Sequence, residues 1–307
     1  MPDSPSSLMP ATPLSQLGED AALKRLLRAA PPATPELLLG PGDDCAVVRR
    51  CADWDTLLKV DALVEGVHFA PDTPPPLIGR KALARALSDI AAMGGVPEHA
   101  LVTLAVHHTR PLEQLEGIYA GLAALAGEFG ISLAGGETTS LPQEGLLLSV
   151  TLTGRIERGA AVLRSGGRPG DTLFVSGALG GSYESGRHLS FTPRVALARQ
   201  LLEQGLRPHA MMDLSDGLAA DLPRLAAASG CDFELTPEAL PCHPGCSAQQ
   251  ALCDGEDYEL LLALPAEAAA SPLCTRLGLT RIGRMIPGRA HSLSGGWQHF
   301  SSSPSPA

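Results

Sequence analysis

Acidic residues set directly against apolar runs constrain this chain more than any other feature. Gly42-Asp43-Asp44-Cys45-Ala46-Val47-Val48 places two acids between a glycine and a run of small apolar residues. That pattern reads as a turn feeding a strand, with carboxylates at the strand mouth. Asp61-Ala62-Leu63-Val64-Glu65-Gly66-Val67-His68-Phe69, Leu87-Ser88-Asp89-Ile90-Ala91-Ala92-Met93-Gly94 and Met212-Asp213-Leu214-Ser215-Asp216-Gly217 repeat the juxtaposition. A merely solvated acid is out of place in such company. Carboxylates brought together repel one another unless protons or cations lie between them. The chain is therefore expected to organise itself around a cluster of divalent cations.

Composition narrows the class. The 307 residues suffice for two ordinary domains or one large one. Hydrophobic residues make up 44% and aromatics only 4%, so the core is built from Leu, Ala and Val. The formal charge of -10 and the absence of a Lys/Arg cluster argue against a nucleic-acid partner. An acidic protein still binds phosphates where metal ions stand between the two. Seven cysteines occur without paired spacing. Cys242 and Cys246 flank His243, but structural zinc shows two such ligand pairs, so reduced thiols are the expected state. Met1 to Pro13 lacks the basic and apolar regions of a secretory leader, and no apolar run reaches membrane-spanning length. A cytoplasmic location away from membranes is expected.

Periodicity and turn residues predict a mixed α/β order. Residues 1–13 and 301–307 are Ser/Pro-rich and read as disordered tails. A first helix is expected from Leu14–Glu19 to Ala29, then strands at Ala46–Val48 and Thr56–Val60, the second ending at Asp61. A helix over Leu77–Met93 presents Leu83, Ala86, Leu87, Ile90 and Ala91 as its apolar face. Asp89 falls in this register, where it could also be solvated or bridged to Lys81 or Arg85. A strand at His99–Val106, a helix at Leu112–Phe129 and a strand at Ile131–Ala134 follow. The last runs into Gly135-Gly136-Glu137-Thr138-Thr139, where paired glycines at the strand end allow close backbone approach to a ligand. Leu146–Ile156 closes the first half.

The second half opens with strand Thr172–Val175 and a Gly-rich turn, Ser176–Ser182, a candidate phosphate cradle without the Walker ending. Further expectations are a helix at Pro193–Leu202, a helix capped by Asp213 or Ser215 and running to Ala228, and strands at Cys231–Leu235 and Leu260–Leu264. A helix at Ala266–Leu277 and a strand at Thr280–Ile286 end the order. The division expected is an N-terminal domain over 14–157 and a C-terminal domain over 158–300.

Phosphoryl transfer needs charge neutralisation and in-line positioning more than covalent help. Magnesium is bound through a few carboxylates, waters and substrate phosphates. Many mouth-facing acids with few basic residues suit metal-bridged ATP. Arg164 is the best-placed cation for phosphate oxygens, because guanidinium binds them bidentately. His68 is a candidate substrate contact, although a lone histidine is more often packed or solvent-facing.

The motif order Gly-Asp-Asp-Cys-Ala (42–46), Asp-Ala-Leu-Val-Glu-Gly-Val-His-Phe (61–69), Lys-Ala-Leu-Ala-Arg-Ala-Leu-Ser-Asp-Ile-Ala-Ala-Met-Gly (81–94), Gly-Gly-Glu-Thr-Thr (135–139), Asp-Leu-Ser-Asp-Gly-Leu (213–218) and Gly-Glu-Asp-Tyr-Glu-Leu (255–260) resembles the thiamine-monophosphate kinases. Their wider superfamily includes aminoimidazole ribonucleotide synthetase, selenophosphate synthetase and the hydrogenase maturation factor HypE. The resemblance spans residues 17–300. It implies a two-domain α/β fold, paired as a homodimer through the N-terminal sheets, that transfers the γ-phosphoryl group of ATP to thiamine monophosphate with the help of several magnesium ions. It implies that Asp44, Asp61, Asp89, Asp213, Asp216 and Glu137 hold the metal. Gly136, Glu137, Arg164 and Ser215 would meet the nucleotide, and His68, Glu256 and Trp297 the thiamine phosphate. It implies no covalent or acid–base catalytic side chain. Lys59-Val60 stands where the family commonly carries hydroxyl residues, and Glu137 where it carries aspartate. Those departures leave open an enzyme of the same superfamily with another ATP-activated substrate, or a non-catalytic nucleotide sensor.

Overall fold

A computed structural model describes residues 12–297. The strands are β1 (Leu37–Leu39), β2 (Ala46–Arg49), β3 (Trp54–Val64), β4 (Val96–His107), β5 (Ser132–Leu141), β6 (Leu146–Glu157), β7 (Thr172–Val175), β8 (Ala210–Asp213), β9 (Asp232–Leu235), β10 (Leu260–Leu264) and β11 (Thr280–Ile286). The helices are α1 (Leu14–Leu17), α2 (Glu19–Leu26), α3 (Pro75–Ala92), α4 (Leu112–Phe129), α5 (Val195–Glu203), α6 (Leu218–Ala228), α7 (Ala248–Cys253), α8 (Ala266–Ala269) and α9 (Pro272–Arg276). The first sheet has the order β1-β2-β3-β6-β4-β5, with β4 and β5 parallel and its other pairs antiparallel. The second, β8-β10-β7-β11-β9, is antiparallel throughout. No helix of the described residues is long and apolar enough to cross a membrane. The tails expected at 1–13 and 301–307 lie outside the described residues, apart from Thr12 and Pro13.

Helix α3 is the hub. Prolines at its first positions suit a helix start, where their missing N–H groups are unneeded. Gly94 ends the turn beyond it at φ 75°. The helix packs on β3 and β6 below, on α4 beside it, and on α5 and β8 of the second half. Contact on so many sides explains why Leu83, Ala86, Leu87 and Ile90 are fully buried, together with the polar Lys81 and Asp89. Beneath it, β6 alternates strictly, with Leu146, Leu148, Val150, Leu152 and Ile156 turned into the core. The opposite face of that sheet carries Leu58, Val60 and Leu101 outward.

Several sequence expectations are corrected. β3 runs through Asp61 to Val64 instead of ending at Asp61, because β6 offers a matching ladder to Leu147. Gly135-Gly136-Glu137 lies inside strand β5, which runs on to Leu141 instead of ending at Ala134. Gly136 is there because a Cβ would sit 1.8 Å from the Val102 carbonyl oxygen on β4. Neither Asp213 nor Ser215 caps α6: Asp213 ends β8, and Gly217 precedes the helix. The helix expected over 266–277 is broken before Pro272, which removes a helix N–H and clashes with the preceding turn.

The approach of α3 to α4 depends on two glycines. A Cβ on Gly79 would lie 1.8 Å from the Ile118 carbonyl oxygen, and one on Gly121 1.9 Å from the Pro76 carbonyl oxygen. Gly79→Ala should therefore destabilise the protein by about 2 kcal/mol through overpacking. Gly127→Ala, in open space on the same α4, should stabilise it by about 0.5 kcal/mol. Denaturant unfolding checks both; equal effects would show that the helix contact is slack.

Candidate active site

Three carboxylates from three distant segments meet under α3. Asp44 comes from the Gly42–Cys45 turn before β2, Asp89 from the last turns of α3, and Asp213 from the end of β8. One oxygen of each lies within 4.8 Å of the others, and all three residues are buried. Asp44 Oδ1 accepts hydrogen bonds from Arg164 Nη2 at 2.5 Å and Nε at 3.1 Å. Its Oδ2 is buried without a hydrogen-bond partner among the described residues. Asp43 supports the turn, accepting the Asp44 and Arg164 backbone N–H groups at 2.9 and 3.0 Å. Burial, reinforced by the charge of Asp44, raises both Asp43 and Asp213 to a pKa of about 6.

The register of β3 against α3 adds two rungs. Alternation turns Lys59 and Asp61 towards the helix while Leu58 and Val60 face outward. Lys59 Nζ donates to Asp89 Oδ1 at 2.7 Å, and Arg85 pairs with Asp61 at 3.5 Å. Strand positions i and i+2 thus match helix positions i and i+4. Asp89 is bridged to Lys59, not to Lys81 or Arg85. Burial would lower the Lys59 ammonium, but Asp89 and Asp61 hold its pKa above the usual lysine value.

A cavity of about 390 Å³ opens alongside, lined by His68, Arg85, Ser215, Asp216, Glu256, Tyr258 and Trp297 among others. The three residues expected to meet a substrate, His68, Glu256 and Trp297, thus line one cavity. Backbone pairing shapes it: Glu256 N–H donates to Ser215 O at 2.7 Å, Tyr258 N–H to Leu214 O at 2.8 Å, and Trp297 N–H to Asp216 O at 2.8 Å. Glu256 and Tyr258 adopt left-handed backbone conformations at φ 63° and 53°. Such strain in a non-glycine residue persists only where surrounding contacts enforce it, and it gathers at functional sites.

Lys81, fully buried, donates to Glu256 at 2.7 and 2.8 Å and to the His68 carbonyl oxygen at 2.5 Å, and lies 2.6 Å from His188 Nδ1. Burial lowers Lys81 to about 8, against the pull of Glu256. Burial also works against Glu256 ionisation, but His188 and Lys81 hold its pKa down at about 2.

The other expected site residues are dispersed. Asp216 lines the cavity and pairs with Arg224 at 2.5 Å. Gly136 and Glu137 stand on β5, where Glu137 is exposed and outside the three-carboxylate group. The Gly-rich turn after β7 is not an open phosphate cradle: Gly180 N–H donates to Asp257 and Gly181 N–H to Asp254. Sequence reasoning passed over Lys81, His188, Tyr183, Tyr258 and Asp221. Asp221 accepts the Ser215 and Asp216 N–H groups at 3.1 and 3.0 Å and so shapes the loop after Asp213. The one available signal was the spacing of Lys81, Arg85 and Asp89, which puts them on one helix stripe.

Residues 42–156 match the AIR synthase related protein N-terminal domain, and 168–295 the C-terminal domain of the same family. The thiamine-monophosphate kinase of Rhodopirellula baltica is 38% identical over 280 residues, covering 85% of this chain and 87% of the relative. The chain belongs to the thiamine-monophosphate kinase family. The Bacillus subtilis thiamine-monophosphate kinase is 36% identical over 250 residues, covering 72% of this chain and 76% of its own. A solved complex of AaThiL with AMPPCP and TMP superposes with a TM-score of 0.83 at 31% identity, covering 95% of this chain and all of that one.

An all-oxygen donor set with one unpartnered buried carboxylate oxygen suits a hard divalent cation. It also yields a pH prediction. An acid whose pKa rises on folding contributes stability below its unfolded value and loses it as pH climbs through the folded one. For Asp213, moving from 3.8 to about 6, the loss is roughly 3 kcal/mol. Without divalent ions, stability should fall between pH 4 and 7, and the gain in Tm on adding Mg2+ should grow over that window. Thermal melts with and without EDTA check this; a pH-independent gain would mean that these carboxylates do not take the ion.

Proposed function

We infer that this chain transfers the γ-phosphoryl group of ATP to the phosphate of thiamine monophosphate, giving ADP and thiamine diphosphate. The observation that carries the reading is a cavity walled by His68, Glu256 and Trp297 beside the Asp44–Asp89–Asp213 group. The two are joined through Arg85, which lines the cavity and pairs with Asp61, and through Ser215, two residues beyond Asp213. A phosphate oxygen of the acceptor attacks the γ-phosphorus, and the bond to the β–γ bridging oxygen breaks. The acceptor is already an anionic nucleophile, so no side chain need become phosphorylated. Trp297 suits stacking on a flat cationic ring, and His68 and Glu256 suit orienting the acceptor.

Asp44, Asp89 and Asp213 would hold magnesium; Asp61 and Asp216, each paired with an arginine, are assigned to the metal by resemblance alone. Bound there, the metal would neutralise charge on the phosphates. Arg164 lies against Asp44 and so belongs at the phosphate side, and Ser215 at the cavity. Gly136 and Glu137 remain assigned to the nucleotide by resemblance alone. The division at residues 157 and 158 belongs to the same reading, supported by the first sheet ending at Glu157 and the second opening at Thr172. A cytoplasmic location suits the free thiols, including buried Cys45, Cys231 and Cys274.

A homodimer is supported by the outer face of the first sheet. Val60 and Leu101 are 61% and 47% exposed, and both lie opposite Thr151 in the ladder, so they form an apolar row suited to a second copy. Val60→Glu combined with Leu101→Glu should yield monomers in sedimentation velocity; an unchanged mass would place the interface elsewhere.

The activity is tested with ATP, Mg2+ and thiamine monophosphate, separated by chromatography. ADP and thiamine diphosphate are expected in equal amounts. ADP alone would shift the reading to another acceptor, and neither product, with nucleotide still bound, to a sensor. Asp213→Asn should lower kcat on the order of 10²-fold without lowering the melting temperature. Trp297→Ala should raise KM for thiamine monophosphate roughly 10-fold and leave KM for ATP near wild type; equal effects on both would remove Trp297 from the acceptor side.

A further inference from the structure

Lys59 is the unexpected member of the carboxylate group. It reaches the group from β3 with its ammonium 2.7 Å from Asp89 Oδ1, and its side chain is only 21% exposed. Asp89 is one of the three acids whose oxygens converge within 4.8 Å. Arg164 covers Oδ1 of Asp44, which leaves Oδ2 of Asp44 buried and unpartnered. The cluster is therefore asymmetric. Both corners hold a protein cation, Lys59 at Asp89 and Arg164 at Asp44, but of the three acids only Asp44 offers a buried oxygen without a partner among the described residues.

A divalent ion bound through the same oxygen of Asp89 would lie close to the ammonium, where like charges repel strongly in a partly buried setting. Nor can the ammonium swing away cheaply. The Lys59 side chain is partly buried on the α3 side, and leaving would strip Asp89 of its partner and take the ammonium away from Asp61, a second negative charge on that face.

We propose that the Lys59 ammonium is a built-in cation of this cluster, standing in for one divalent ion, so that each site takes one metal ion fewer than it would with an uncharged residue at position 59. This rests on the reading of the cluster as the metal site of the kinase. It assigns Lys59 the part of a positioning residue: it fixes Asp89 and the number of ions, and touches neither the phosphates nor the acceptor. The ions that remain are directed to the Asp44–Asp213 side.

The test counts metal directly. Protein saturated with a non-hydrolysable ATP analogue is dialysed against Mn2+, and bound Mn2+ per protomer is measured by mass spectrometry of the metal and by electron paramagnetic resonance. Lys59→Met should bind one more Mn2+ than wild type, and Lys59→Arg the same number. An unchanged count in Lys59→Met overturns the proposal.

Lys59→Gln, which keeps a hydrogen-bond donor for Asp89 without its charge, serves if the methionine variant folds poorly. In EDTA either neutral variant should melt below wild type, and Mg2+ should restore most of the difference. A deficit that persists at saturating Mg2+ would mark Lys59 as a packing residue and overturn the proposal as well. Failure of the kinase reading itself would appear elsewhere, as absence of thiamine diphosphate from the wild-type reaction. The metal count uses no acceptor.

Discussion

Mutual repulsion of Asp44, Asp89 and Asp213 is the constraint on which the rest of this structure depends. Three buried carboxylates, one oxygen of each within 4.8 Å of the others, repel one another and oppose folding unless something positive lies nearby. The chain supplies Arg164 on one side and Lys59 on the other, and still leaves one carboxylate oxygen without a partner. Stability and function pull apart here: what makes the group costly in the metal-free protein is what would make it bind a hard cation tightly. The hydrophobic core must therefore be large and continuous enough to hold the acids together. It runs from Leu57 and Ile90 through Leu201 and Met211 to Leu262 without a break between the two sheets.

The acceptor cavity solves a different problem. Its anionic wall residue, Glu256, is kept ionised by a buried lysine and a histidine and held in a backbone conformation that a free loop would avoid. The far C-terminal segment adds Trp297 to the lining of the same cavity. The two sites differ in character: one is crowded with like charge, the other is balanced and preorganised.

Much of the fold was legible because it is punctuated. Leu112–Phe129 begins after a proline and ends at a glycine in the left-handed conformation, and β7 and β10 are apolar runs between turn residues. β8 was missed because four residues, Ala210–Asp213, carry no period that separates a strand from a loop. The stretch around Gly135 and Gly136 read as the end of a strand because two glycines normally weaken one; only the neighbouring β4 shows why they are needed within it. The acids were legible one by one, since each sits beside an apolar run. Which of them converge was not, because convergence depends on how β8 and α3 pack. Lys59 illustrates the limit. In the sequence it stands as a departure from a motif, and only the alternation of β3 against α3 shows that it faces Asp89.

Lys81, Arg85 and Asp89 occupy successive positions four residues apart on one continuous helix. The first braces the acceptor cavity through Glu256, the second joins Asp61 to that cavity, and the third belongs to the cation cluster. Eight residues of α-helix span about 12 Å. The separation between the place where the acceptor would rest and the place where the donor's charge would be met is thus written in the pitch of α3, not in the reach of a loop. A helix neither stretches nor compresses appreciably, so α3 serves this chain as a ruler. Evolution can change what sits at either mark far more easily than it can change the interval between them.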